Sequence, residues 1–151
     1  MIQVWTDGCC LKNPGGPGGW AFIVVDEQQQ VVCKESGGEP CSTNNRMEMA
    51  AVIEGIKVAL DLFPTDDIEI VSDSLYVVKG STVWLAGWKK RGWRRSAGRG
   101  RTKPVKNEEL WRQIDALLRP QVTLLWVKGH NGARFNELAD FMAKEAASEH
   151  A

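Results

Sequence analysis

Residues 2–26, "IQVWTDGCCLKNPGGPGGWAFIVVD", set the architecture of this chain. Residues 2–10 alternate as a strand does, with Ile2, Val4 and Thr6 on one face and Gln3, Trp5 and Asp7 on the other. "NPGGPGG" at 13–19 interrupts that strand. Proline lacks an amide donor, and glycine adopts turn conformations at little steric cost. "WAFIVVD" at 20–26 reads as a second strand, and "QQQVVCKESG" at 28–37 supplies a third after a short polar turn. Three strands with such short connections predict an antiparallel meander.

Beyond the meander the apolar period becomes helical. From Asn44 to about Phe63, Val52, Ile56, Ala59, Leu60 and Phe63 form one stripe, and Asn45 followed by Glu48 has capping-box spacing. Pro64 ends the helix, and "DIEIVSD" at 67–73 forms a fourth strand. Short helical pieces fill 75–90, a helix follows from Glu108 to Leu118, "VTLLWV" at 122–127 is a fifth strand, and 135–148 forms a last helix. The fourth and fifth strands each follow a helix, which favours parallel crossovers. The expected class is α/β: a five-stranded mixed sheet, antiparallel over its first three strands with parallel additions, flanked by helices. A single domain is expected over 1–151, with a basic protrusion at about 84–106.

Apolar residues make up 43% of the chain and charged ones 25%, as in ordinary globular proteins. No apolar run approaches the ~20 residues of a membrane span. The opening "MIQVWTDG" lacks the basic start and apolar core of a signal peptide, so a cytoplasmic protein is expected. The formal net charge of zero conceals a division. Residues 1–78 hold 4 basic and 12 acidic side chains, whereas residues 79–106 hold 10 basic and no acidic ones. Within the basic segment, Trp84, Trp88 and Trp93 interleave with Lys89, Lys90 and Arg91. Cations neutralise phosphates and indoles pack on sugars or bases, so the pattern suits nucleic acid better than a solvated helix face.

The adjacent Cys9 and Cys10 invite a thiol function that their geometry opposes. Consecutive Cα atoms lie about 3.8 Å apart, below the usual disulfide separation, and strand neighbours point to opposite faces. No paired spacing suited to zinc accompanies them or the isolated Cys33 and Cys41. All four are expected to be reduced and mostly buried.

The carboxylates offer more. Asp7 comes late in the first strand, just before Gly8, whose missing side chain leaves room for close approach. Asp73 ends an apolar strand, at the kind of position where open α/β sheets bind ligands. Glu48 lies in the first turn of the long helix above Val52, Gly55 and Ala59, and Asp140 lies on the last helix above Ala143 and Ala147. Taken singly, each reads more readily as a surface or capping acid, and spacing does not prove that they converge.

In order along nearly the whole chain, "TDGCCLKNPGGPGGWAF", "TNNRMEMAAVIEGI", "VSDSLYVVKG", "WKKRGW", "KPVKNEELW" and "WVKGHNGARFNELAD" closely resemble the bacterial type 1 ribonuclease H family. The resemblance implies the ribonuclease H fold, with no extra hybrid-binding domain before it. It also implies an endonuclease that cuts the RNA strand of an RNA–DNA hybrid, leaving 5′-phosphate and 3′-hydroxyl ends. Asp7, Glu48, Asp73 and Asp140 match the family's metal-binding acids, with Asp7 bridging two ions, and His130 matches its mobile histidine. Two magnesium ions, for which manganese substitutes, are the implied cofactors. Hard divalent cations prefer carboxylate oxygens, and an ion pair can activate water and stabilise the leaving oxygen. Four carboxylates crowded together repel one another when empty, so raised pKa values and stabilisation by divalent ions are expected.

By the same resemblance, Cys10, Asn13, Asn44 and Asn45 meet the 2′-hydroxyls of the minor groove, and Thr43, Arg46 and Asn107 meet phosphates. The basic protrusion grips the DNA strand through Trp84, Lys89, Lys90 and Arg91, with Tyr76, Trp88 and Trp93 lining a channel. Two departures stand out. Leu75 occupies a position that is often polar in relatives, and "RRSAGRGRTK" at 94–103 is longer and richer in arginine than in many of them. A monomer acting on a hybrid, away from membranes, is expected. The rival from another class is a catalytically silent hybrid-binding module, against which the presence of all four acids argues.

Overall fold

A computed structural model describes residues 1–151. In chain order the elements are β1 (Ile2–Cys10), β2 (Gly18–Val25), β3 (Val31–Glu39), α1 (Asn44–Leu62), β4 (Ile68–Ser72) and α2 (Leu75–Lys79). A π-helical turn at Gly80–Trp84 leads into α3 (Leu85–Lys90). Then come β5 (Arg94–Ser96), β6 (Thr102–Pro104), α4 (Glu108–Leu117), β7 (Val122–Trp126) and α5 (Arg134–Glu149).

The main sheet has the order β3-β2-β1-β4-β7. β1 pairs antiparallel with β2 and parallel with β4, so the sheet changes sense at β1. β2 and β3 are antiparallel, and β4 and β7 are parallel. This is the mixed sheet that the sequence pattern implies. β2 is apolar without alternation because both of its faces are covered. Phe22 and Val24 join the larger core cluster with Val52 and Ile56 of α1, while Ile23 and Val25 pack with Phe135 and Ala139 of α5.

Three details correct or extend the sequence-based expectations. First, Thr43 rather than Asn45 caps α1: its Oγ1 accepts the Arg46 N–H at 3.2 Å, and Glu48 turns inward instead of reaching back. Second, the basic segment contains a short hairpin, β5–β6, whose tip passes through Gly98, Arg99 and Gly100, all with positive φ. Third, the free cysteines are not mostly buried, since Cys9, Cys10 and Cys33 are half-buried and Cys41 is exposed.

The π turn starts at a crowded point. A Cβ on Gly80 would fall inside the Trp111 indole, so the chain passes over that ring only as glycine. Around it, Tyr76 and Trp88 pack on Trp111 at 5.4 and 5.3 Å between ring centres, and Trp84 packs on Tyr76 and Trp88.

Candidate active site

Asp7 and Asp73 occupy matching positions on neighbouring strands. The last parallel pair between β1 and β4 is Thr6 with Ser72, and each aspartate is the next residue. Both carboxylates thus emerge at the carboxyl end of the parallel ladder. Glu48 reaches them from the first turn of α1, across Gly8. A Cβ on Gly8 would collide with the backbone of Met47 and Glu48, so glycine is what lets β1 approach the helix this closely. The Gly8 N–H donates to Asp7 Oδ1 at 2.9 Å and to Glu48 Oε1 at 3.1 Å.

One ligand atom from each of Asp7, Glu48 and Asp73 lies within 4.8 Å of the others. Asp140 borders the same shallow concavity, of about 340 Å³, but its Oδ2 pairs with Lys144 Nζ at 3.0 Å. The structure therefore brings three of the four acids into one cluster and holds the fourth at the rim. Gly129 makes space for Asp73, because a Cβ there would sit 2.6 Å from Asp73 Oδ2. His130 is exposed on the same rim, with φ of 54°, and Gly132 beyond it has φ of 80°. Asn136, which the sequence pattern did not single out, is buried, and its amide favours the ionised form of Asp73.

Burial dominates the electrostatics. It pushes the Asp7 carboxyl up to about 7, with Asp73 adding like-charge repulsion. Glu48 is raised well above the carboxylate range by burial and then by Asp7, and Asp73 is raised by burial and Asp140. Glu48 Oε2 is buried with no hydrogen-bond partner. An orphaned carboxylate oxygen beside two other acids is a donor set suited to a hard divalent cation, so the residues present fit such an ion.

These shifts fix the sign of a pH effect. Asp7 titrates near pH 4 in the unfolded chain and at about 7 in the fold. The folded state therefore holds the extra proton between these values, and stability contributed at low pH is lost as pH rises through that window. In chelator, the melting temperature is expected to fall between pH 5 and pH 8 by roughly 5–10 °C. Saturating divalent cation should remove that fall. A metal-free melting profile that is flat across the window would refute the assignment.

Around the acids, the residues expected to meet a hybrid fall into three groups. The Cys10 N–H donates to Asn44 Oδ1 at 2.7 Å, and the Asn44 N–H donates to Asn13 Oδ1 at 3.1 Å. These bonds join Cys10, Asn13 and Asn44 in one patch, with Asn45 exposed at the edge of the acidic concavity. Thr43, Arg46 and Asn107 also converge: Arg46 Nη1 donates to Asn107 Oδ1 at 3.1 Å, and Thr43 Oγ1 holds the Arg46 amide. The third group surrounds a larger concavity of about 470 Å³ between α3 and the β5–β6 hairpin. Tyr76, Trp84 and Trp88 contribute to its lining, with Arg91, Arg95 and Lys106 as its cations.

Trp88 and Lys89 lie differently within the protrusion. Trp88 is buried, with its ring 5.3 Å from Trp111, so it shapes the concavity from beneath. Lys89 is tied to Asp115 at 3.1 Å. Trp93 packs against the core under the Arg112 guanidinium, and Lys90 and Arg91 are exposed. Leu75 is exposed at the start of α2.

A family model described as RNase H matches residues 1–148. A Ribonuclease H of Erythrobacter litoralis is 48% identical over 148 residues, covering 97% of this chain and 95% of that protein. A Ribonuclease H of Alkalilimnicola ehrlichii is 47% identical, covering 98% and 95%. Among solved structures, LC9-RNase H1, described as a type 1 RNase H with the type 2 active-site motif, superposes with a TM-score of 0.81 at 32% identity. That superposition covers 99% of this chain and 73% of the other.

Proposed function

This chain belongs to the RNase H family, and from that premise we propose how its residues perform hydrolysis of the RNA strand in RNA–DNA hybrids. The observation that carries the reading is the cluster of buried Asp7 and Glu48 with half-buried Asp73, and its unpartnered Glu48 oxygen, at the end of the parallel ladder. Asp7, Glu48 and Asp73 would hold divalent ions, with magnesium the natural choice, and Asp140 would join them after releasing Lys144. When bound, such ions supply an activated water and neutralise charge developing on the phosphate and the leaving 3′ oxygen.

The protein's own residues do the rest. The Gly8 N–H fixes the Asp7 and Glu48 carboxylates in orientation, which removes reorganisation from the reaction step. His130, exposed beside Asp73 in a loop with two positive φ values, takes and returns protons as the product leaves. Cys10, Asn13, Asn44 and Asn45 read the 2′-hydroxyls that separate RNA from DNA. Asn13 and Asn44 spend their Oδ1 atoms on backbone and keep their amide donors for that task. Thr43, Arg46 and Asn107 seat a phosphate. The exposed basic surface of Trp84, Lys89, Lys90 and Arg91 steers and holds the DNA strand, supported from below by Tyr76, Trp88 and Trp93.

No helix is long and apolar enough to cross a membrane. The reading is completed by a single catalytic domain with its basic protrusion at about 84–106, working as a monomer in the cytoplasm. The test is incubation with a strand-labelled hybrid in magnesium, in manganese and in chelator. RNA cleavage in either metal and none in chelator is expected, with products ending in 5′-phosphate and 3′-hydroxyl. Binding without cleavage under every condition would instead establish a silent hybrid-binding module.

A further inference from the structure

The phosphate seat formed by Thr43, Arg46 and Asn107 already holds an anion, and that anion belongs to the protein. Arg46 Nη1 lies 2.5 Å from Glu109 Oε1, on the same guanidinium nitrogen that donates to Asn107. The two partners are held unequally. The Arg46 side chain is 33% exposed, with its backbone amide fixed by Thr43, whereas Glu109 is 59% exposed at the start of α4. Asn107, immediately before that helix in a left-handed conformation with φ of 59°, is anchored by donating from Nδ2 to Tyr76 Oη at 3.2 Å. The same oxygen receives the Trp111 indole N–H at 3.1 Å. The seat is therefore braced into the aromatic core, while its carboxylate occupant sits at the solvent edge.

A carboxylate and a phosphate present similar oxygen pairs to a guanidinium, and each binds it through charge-assisted hydrogen bonds. They compete for the same donor. We propose that Glu109 is an internal phosphate mimic that a hybrid must displace from Arg46, so that it sets the affinity of the enzyme for its substrate and the ease of product release. This rests on the reading of Arg46 as a phosphate contact. Glu109 stays anionic through the neutral range, since Arg46 holds its carboxyl below the usual value. Glu108 provides a neighbour of the same charge with a different partner, because it bonds Arg112 on its own helix at 2.9 Å.

The experiment measures hybrid affinity by fluorescence anisotropy in chelator for wild type, Glu109→Gln, Glu108→Gln, Arg46→Ala and the Arg46→Ala/Glu109→Gln double variant. Thermal melts establish that each is folded, and Glu109→Ala serves as a second truncation. An exposed ion pair of ordinary strength corresponds to a gain of about three- to fivefold when the competitor is removed. Glu109→Gln is expected to tighten binding by that factor, Glu108→Gln by clearly less, and the gain should vanish in the Arg46→Ala background. In steady-state assays KM should fall while kcat does not rise. Equal gains from Glu108→Gln and Glu109→Gln, or a gain that survives Arg46→Ala, would show a general charge effect and overturn the proposal. If Arg46→Ala binds hybrid as tightly as wild type, the phosphate seat itself is misassigned. If wild type does not bind hybrid, the functional reading fails before this one.

Discussion

Asp7→Asn is expected to lower RNA cleavage by at least ~10³-fold while leaving the protein folded, because it removes several kcal/mol of charge stabilisation from the reacting phosphate. The substitution keeps the side-chain shape and an acceptor for the Gly8 N–H, so little else changes. Hybrid affinity in chelator should hold or improve. The informative companion result concerns stability. Asp7 is 4% exposed and its carboxyl is pushed up to about 7, so at pH 8 the metal-free fold carries a buried charge beside Glu48 and Asp73. Asparagine removes that burden, and the metal-free melting temperature at pH 8 should rise by several degrees. It should also change less between pH 5 and pH 8 than in wild type. Cleavage by the variant within tenfold of wild type, or a lower melting temperature at pH 8, would count against Asp7 as the central acid.

Gly8→Ala is expected to be the most damaging single methyl group in the site. Its Cβ would overlap the backbone of Met47 and Glu48 rather than a yielding side chain, so β1 and α1 must separate. Forced overpacking of this kind costs about 3 kcal/mol or more. For a chain of this size that corresponds to a loss of roughly 10 °C in melting temperature. The same displacement moves Glu48 away from Asp7, and a misplacement of about 1 Å at a reacting site lowers rates by ~10²-fold. Melting curves with and without divalent cation, together with hybrid cleavage, separate the two effects. A variant with wild-type stability and rate would show that the helix retreats without consequence.

The sheet and its helices are legible in the sequence because each follows from local periodicity. Residues 2–10 alternate, β2 is apolar throughout, and α1 carries its stripe up to Pro64. The acids are legible one at a time and not as a set. Positions 7, 48, 73 and 140 share no period, and only the register of β1 with β4 and the close approach at Gly8 bring Asp7, Glu48 and Asp73 together. Resemblance to the family supplied that grouping in advance.

What escaped the sequence depends on long-range partners. Trp88 and Lys89 sit in a run of cations and indoles, but Trp111 and Asp115, more than twenty positions later, decide where they lie. The cap of α1 is a local event, but Thr43 and Asn45 both have side chains able to cap, and the turn geometry selects Thr43. The Arg46–Glu109 contact likewise joins positions 63 residues apart and has no local signal, whereas the Asp140–Lys144 pair follows from i,i+4 spacing on the last helix.

The change of strand sense at β1 has a bearing on how activity is acquired and lost. The hairpins on one side of β1 join residues close in the chain, whereas its ladder with β4 joins Ile2 to Ile68 and Thr6 to Ser72. Pairing over such a span is slow to form, because the entropy of closing the intervening chain precedes the reward. Asp7 and Asp73 face each other only once that ladder has closed. During refolding, the capacity to bind a divalent ion should therefore return after the meander has gained protection from hydrogen exchange. On partial unfolding it should disappear while the meander is still protected. Cation binding is in this sense a gauge of a single parallel seam, and helix or strand content measured across the whole molecule will not track it.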